Sequence, residues 1–162
     1  YQSINKNDGT PFKVFSPFWR NAEQVFLEAV PQKVSEIKKL KSKKTIFYSK
    51  DNFKQIMPKK DWFKKFDQYW KPSEYEAHKN LKEFISNRIS KYGVDRDYPS
   101  INGSSKLSPF IRNGQIHVAA IYEKSSKDIK KNISIRKYIN ELGWREFSHS
   151  LINYFPQMLK GN

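Results

Sequence analysis

The sequence predicts an all-α protein, and three observations carry that prediction. Apolar residues recur every three to four positions in two stretches: Ala77, Leu81, Phe84, Ile85, Ile89 and Tyr92, then Ile135, Ile139, Leu142, Phe147, Leu151, Tyr154 and Phe155. That is the spacing of one helical face. Helix punctuation stands at the edges of these stretches, with Ser73-x-x-Glu76 as a capping box and Pro72, Gly93 and Pro156 as stops. No stretch alternates apolar and polar residues as a half-buried strand does.

Each element follows in order. Asn7-Asp8-Gly9-Thr10-Pro11 is turn chemistry, and residues 12–20 continue it as an aromatic-rich connector. A helix is predicted over residues 21–29, with Ala22, Val25, Phe26 and Ala29 inward and Pro31 as its end. Residues 33–60 are Lys-rich and weakly periodic, which reads as loop. Over residues 61–70, Trp62, Phe63, Phe66, Tyr69 and Trp70 fall on one α-helical face, Lys64 and Lys65 largely opposite, with Asp61 as N-cap. Such a helix either docks its rings onto the domain, the reading preferred here, or lies on a membrane surface.

Behind the capping box, the next helix carries Lys79, Lys82 and Glu83 outside its apolar stripe and stops at Gly93 as its C′ residue. Residues 93–108 are a loop. Ser108-Pro109 reads as N-cap and first helical residue of a short helix ending near Gly114. A helix over 115–124, a polar break over 125–132 and a last helix over 134–155 complete the chain. Gly143 inside the last helix predicts a break or a close approach. In domain terms, residues 1–72 form an interdomain linker and wrapping segment, and residues 73–162 form a helical domain.

Composition narrows the function classes. Thirty-one Lys and Arg against sixteen Asp and Glu leave a net charge of +15. A polyanion suits that excess, nucleic acid before anionic membrane; a merely solubilising Lys-rich surface is the plain alternative. Twelve Phe, nine Tyr and four Trp argue for a packed core. With no Cys, disulfides, thiolate catalysis and Cys-based zinc sites are excluded. His78, His117 and His149 are too scattered for a metal cluster. No apolar run is long enough to span a bilayer. The polar start shows no secretory signal, and the lack of an initiator Met leads to the expectation of an excised segment or a tag-processed chain.

Two segments carry chemistry. Gly103-Ser104-Ser105-Lys106-Leu107-Ser108-Pro109 brings hydroxyls, an ammonium and free backbone N–H groups to a helix start. It reads as a phosphate site or as a capped turn. In the last helix, Glu141, Trp144 and Arg145 adjoin on one face. They read either as a nucleobase site, with ring, acceptor and cation side by side, or as a core Trp beside an ion pair.

Taken together, these segments resemble the photolyase/cryptochrome family. Asp97-Tyr98-Pro99, the serine loop and Gly114, followed by Asn140-Glu141-Leu142 and Trp144-Arg145-Glu146-Phe147, stand in that family's order and spacing. Gly9-Thr10-Pro11-Phe12-Lys13-Val14-Phe15-Ser16-Pro17-Phe18 resembles its interdomain linker, and Glu74, Ala77, Leu81 and Phe84 resemble the opening helix of its FAD domain. The Asp97-Tyr98-Pro99 loop looks like that of bacterial dimer-type enzymes rather than of 6-4 photoproduct enzymes, and the subclass expected is the class I cyclobutane pyrimidine dimer photolyase.

The resemblance implies a partial FAD-binding helical domain and a non-covalent, U-shaped FAD that is active when reduced. It implies that Tyr92 contacts the cofactor and that Ser104, Ser105, Lys106, Leu107 and Ser108 form the phosphate loop. Tyr138, Asn140, Glu141 and Arg145 would line the cofactor and lesion pocket, a single cavity with the serine loop as its other wall. Glu141 would hydrogen-bond the dimer, Trp144 would be the wall on which it rests, and Arg96 would contact the DNA backbone. The activity implied is light-driven repair of pyrimidine dimers in DNA, in a cytoplasmic enzyme, monomeric at full length, with no membrane partner. Cryptochrome-type signalling and a flavin-free basic DNA-binding module are the rivals. None of Trp19, Trp62, Trp70 and Trp144 matches the family's electron relay, and the antenna pigment and the rest of the cofactor pocket belong to regions outside this segment. The segment alone is therefore expected to be inactive and to bind FAD weakly or not at all; purification as a stoichiometric yellow protein would contradict that.

Overall fold

The computed structural model describes residues 4–28 and 59–160. The chain divides into two compact units, one of Tyr1–Pro31 with Pro72–Asn162, the other of Gln32–Lys71. In the first unit, six α-helices follow in order: α1 (Phe15–Glu28), α2 (Glu74–Asn87), α3 (Tyr92–Asp95), α4 (Ser108–Arg112), α5 (Val118–Ser125) and α6 (Ile133–Tyr154). Short 3₁₀ turns at Ile89–Lys91 and Pro156–Leu159 flank α3 and end α6. The all-α prediction holds: the described residues carry one isolated β-bridge, Asn5 with Pro11, across the turn at Gly9.

α6 is the central element, packed by α1, α3 and α5. Its start is set by Asn132, whose side chain accepts the Ser134 N–H at 2.8 Å. Ile135, Tyr138, Ile139, Leu142 and Phe147 are buried along it. α1 begins six residues before the predicted start, because Pro17 falls in the first turn, where a missing N–H removes no helical bond. That places Phe18 and Trp19 on the inner face with Ala22 and Phe26, all buried; Val25 is turned outward, and Ala29 and Pro31 lie outside the described residues. Each such ring taken fully out of water stabilises the fold by about 1.5–3 kcal/mol. Glu23 fixes α1 laterally, accepting from Tyr122 Oη at 2.9 Å and Arg136 Nη1 at 2.7 Å.

Gly143 leaves α6 unbroken. A Cβ there would stand 2.6 Å from Trp19 Cδ2, so the close approach is the operative reason for glycine. At α2 the capping box forms as predicted, Ser73 Oγ accepting the Glu76 N–H at 3.1 Å, and Ala77, Leu81 and Phe84 are buried. The predicted stop at Gly93 is corrected. The α-helix ends at Asn87 and resumes as α3, with Gly93 inside it; a Cβ on Gly93 would meet Ser134 Oγ at 2.9 Å. α5 starts at Val118, later than predicted, because His117 caps it through Nδ1, which accepts the Ala119 N–H at 3.2 Å.

The second unit is described at residues 59–71. Asp61–Gln68 is a 3₁₀ helix rather than the predicted α-helix, and Lys60, not Asp61, occupies the N-cap position. Asp61 pairs instead with Lys64 at 2.6 Å. At about three residues per turn, Phe63, Phe66 and Tyr69 align while Trp62 and Trp70 fall elsewhere, so the five rings form no common face. Trp62, Phe66 and Tyr69 are exposed, which corrects the docked-face reading. Nearly all of the predicted loop over 33–60 lies outside the described residues.

Candidate functional site

The loop between α3 and α4 is held before any ligand arrives. Arg88 Nη1 donates to the carbonyl oxygens of Asn102 at 3.3 Å and Ser104 at 3.0 Å. Gly103 lies against the end of α3, where a Cβ would stand 2.6 Å from the Asp95 carbonyl. Lys106 sits at φ +54°, left-handed for a non-glycine residue, a strain on the order of 1 kcal/mol that the surrounding contacts must hold. Leu107 anchors the loop in the core, while Ser104, Lys106 and Ser108 are exposed and Ser105 is half-buried. One detail differs from expectation. Leu107 takes the N-cap position of α4 and Ser108 is its first helical residue, so the Ser108 hydroxyl caps nothing and faces outward.

The loop approaches α6 at Tyr138, where the Ser105 side chain is near enough to act on the phenol. Tyr138 is buried between Phe84 at 4.7 Å and Tyr92 at 5.1 Å, centroid to centroid. Burial pushes its pKa up to about 12, against the lowering effect of Ser105. Tyr92, also buried, is pushed up by desolvation as well, although the neighbouring Arg96 works the other way.

One helical turn further on, a hollow of about 340 Å³ is lined by Gly93, Arg96, Asp97, Lys137, Asn140, Glu141 and Trp144. Arg96 Nη1 lies 2.5 Å from Glu141 Oε1, and its Nε lies 3.6 Å from Asp97. The Glu141 hydrogen bond, opposed by partial burial, holds the Arg96 guanidinium more firmly charged than usual. The guanidinium carbon also stands 5.3 Å from the Tyr92 ring centroid. Trp144 is 45% exposed, yet its ring is not loose: Phe15 of α1 stacks on it at 3.8 Å and 10°, and Phe147 meets it edge-on at 5.9 Å.

The structure thus gathers Arg96, Asn140, Glu141 and Trp144 at one hollow, with Tyr92 beneath Arg96. Arg145 departs from the expected common face. It pairs with buried Glu146 and lines a separate hollow of about 200 Å³ with Ile111, Gly114, Ile116, His117 and Val118. The serine loop comes near α6 at Tyr138 but does not line the Glu141 hollow. A single cavity walled by both segments was expected; the observed arrangement is two adjacent features joined through Tyr138. Residues without an assigned role from sequence are Lys137, Asp97, Arg88 and Phe15. Lys137 precedes Asn140, Glu141 and Trp144 at helical spacing and was legible on that ground. Phe15 lies more than a hundred residues away and carried no such signal.

No family model matches the sequence. Curated relatives do. The deoxyribodipyrimidine photo-lyase of Agrobacterium fabrum is 31% identical over 167 residues, covering 98% of this chain and 34% of the relative. That of Alkalihalophilus pseudofirmus is 30% identical over 157 residues, covering 94% of this chain and 32% of the relative. The chain therefore spans about a third of the length of the curated relatives it matches. The crystal structure of a bacterial class III photolyase from Agrobacterium tumefaciens superposes with a TM-score of 0.75 at 29% identity, over 96% of this chain and 34% of that one. Fold, relatives and solved neighbour agree: over nearly its whole length this chain is similar to about a third of a photolyase.

Proposed function

We propose that this chain is part of a DNA photolyase that repairs cyclobutane pyrimidine dimers by light-driven electron transfer from reduced FAD. The observation that carries the reading is the hollow itself: an aromatic platform at Trp144, an acceptor at Glu141 and a cation at Arg96, in a segment whose curated relatives are named deoxyribodipyrimidine photo-lyase over nearly its whole length. The same relatives favour repair over cryptochrome-type signalling or a flavin-free DNA-binding module. The class I placement is the finer part of the proposal and rests on the Asp97-Tyr98-Pro99 loop alone; the class III label belongs to the solved neighbour. A cytoplasmic location and a monomeric full-length enzyme accompany the proposal as expectations. Among the described residues no helix is long and apolar enough to cross a membrane.

The donor set of the serine loop fits a pyrophosphate: exposed hydroxyls at Ser104 and Ser108, the Lys106 ammonium, and a backbone already ordered by Arg88. Ser104, Ser105, Lys106, Leu107 and Ser108 would hold the FAD phosphates, with Tyr92, Tyr138 and Asn140 nearby. Arg145, paired with Glu146 in the second hollow, fits this group less well and would need to turn to reach it. When bound, the flavin supplies blue-light absorption and the electron that opens the cyclobutane ring. The residues of this chain bind and orient. A dimer pairs poorly within the duplex, so its extrusion is comparatively cheap. Trp144 offers a face for the extruded bases, worth roughly 1–3 kcal/mol per stacked base. Glu141 accepts an N–H from a base, and Arg96 holds that carboxylate in place. Lys137, in the lining of the hollow, would neutralise a phosphate.

The test is binding of this chain to matched oligonucleotides with and without one thymine dimer, followed by fluorescence anisotropy. Preference for the dimer is expected, lost in Trp144→Ala and reduced in Glu141→Gln. Equal affinity of the unsubstituted chain for both oligonucleotides would end the proposal.

A further inference from the structure

Trp144 poses a physical problem. A flat indole is useful as a binding platform only if it stands still, yet nearly half of it faces solvent and its own helix offers it just one edge-on ring, Phe147. The residue that covers its flat face is Phe15, the first residue of α1, at 3.8 Å and 10° between planes. Phe15 in turn lies parallel to Trp19 at 6.4 Å and 10°. Trp19 is buried on Gly143, the residue before Trp144, where a Cβ would overlap its ring at 2.6 Å. Three rings from two distant parts of the sequence therefore form one column, Trp19, Phe15 and Trp144, seated on the backbone of α6.

We propose that Phe15 is a positioning residue for the dimer site: by stacking on one face of Trp144 it fixes the plane of the indole and leaves the other face for the extruded bases. This rests on the reading of Trp144 as the wall of that site. In consequence α1, which belongs to the stretch read from sequence as a linker, helps build the recognition surface. Two features of the geometry separate this from ordinary core packing. Phe15 is only half-buried, so it contributes modestly to the core, and its closest ring partner is the most exposed tryptophan among the described residues of this unit. Leu or Met at position 15 would keep apolar volume but lose the flat face.

The experiment compares the unsubstituted chain with Phe15→Leu and Phe15→Tyr. The indole N–H signal of Trp144, assigned through Trp144→Phe, is followed in ¹H–¹⁵N spectra with its heteronuclear NOE, alongside affinity for dimer-containing and undamaged oligonucleotides. In Phe15→Leu the Trp144 signal is expected to shift and its NOE to fall. Preference for the dimer should drop roughly three- to tenfold, the scale of one aromatic pair, with undamaged DNA bound as before. Phe15→Tyr should restore both. An unmoved, equally rigid Trp144 in Phe15→Leu overturns the proposal, and so does a mobile indole with undiminished dimer preference. If Phe15→Leu does not fold, Phe15→Met takes its place. If the unsubstituted chain shows no dimer preference, the functional reading falls, and the indole signal alone still decides whether Phe15 holds Trp144.

Discussion

Glu141 and Arg96 show how a residue identified from pattern acquires a different meaning from its partner. The family resemblance implies a dimer acceptor at the carboxylate and a DNA-backbone contact at the guanidinium, yet the two meet at 2.5 Å across the hollow. Both side chains are more than a third exposed or nearly so, so water screens the attraction and the pair adds little to stability; its effect is on orientation. Arg96→Gln is expected to leave the melting temperature within a few degrees while weakening dimer preference, measured by the same anisotropy titration. Gly143 behaves in the opposite way. Gly143→Ala drives a methyl into the Trp19 ring, and urea denaturation should show a loss of about 1–3 kcal/mol, the usual cost of overpacking. Tyr138 supplies a pH signature. Its pKa is raised to about 12 by burial, so the folded state holds the phenolic proton more tightly than the unfolded chain does. The stability this contributes is complete below about pH 10 and is lost as pH rises towards 12. Phenolate absorbance at high pH should show several late-titrating tyrosines, of which Tyr138→Phe removes one while Tyr92 and Tyr122, also raised by burial, remain.

At the scale of elements, the helix starts are where sequence chemistry is most direct. Ser73 and Asn132 each accept a backbone N–H at the head of α2 and α6. Ser73→Ala or Asn132→Ala should cost about 1 kcal/mol, readable in the midpoint of chemical denaturation. α4 has no such side-chain cap, since Ser108 lies one residue inside it, and Ser108→Ala should leave stability nearly unchanged. That contrast separates a hydroxyl used for the fold from one free to face a ligand. The Asp61–Gln68 element shows the limit of periodicity. Its rings match an α-helical stripe, but the local geometry is 3₁₀, and a change of a fraction of a residue per turn disperses them.

Across the whole molecule, charge would govern the proposed encounter with DNA. With a net charge of +15, binding to any DNA should release counterions, so the logarithm of affinity should fall linearly with the logarithm of salt concentration. Titrations from about 50 to 200 mM salt are expected to weaken damaged and undamaged oligonucleotides in parallel, because phosphates carry the salt dependence and, in the proposed function, the Trp144 hollow carries the discrimination. A salt slope confined to the damaged DNA would contradict that division.

What the sequence determined by itself was local: the all-α class, the capping box at Ser73, the interior of α6, and the identity of the acid and indole that line the hollow. These depend on spacing within one helix or one turn, and spacing is written in the chain. Tertiary structure decided what depends on contacts between distant residues: Phe15 over Trp144, Trp19 on Gly143, Arg96 across to Glu141, and Arg145 turned away to Glu146. A helix's period assigns each side chain an angle around its axis, but whether neighbouring angles open into one cavity or two depends on what packs between them. Here Tyr138, buried against Phe84 and Tyr92, marks the join between the serine loop and the Glu141 hollow.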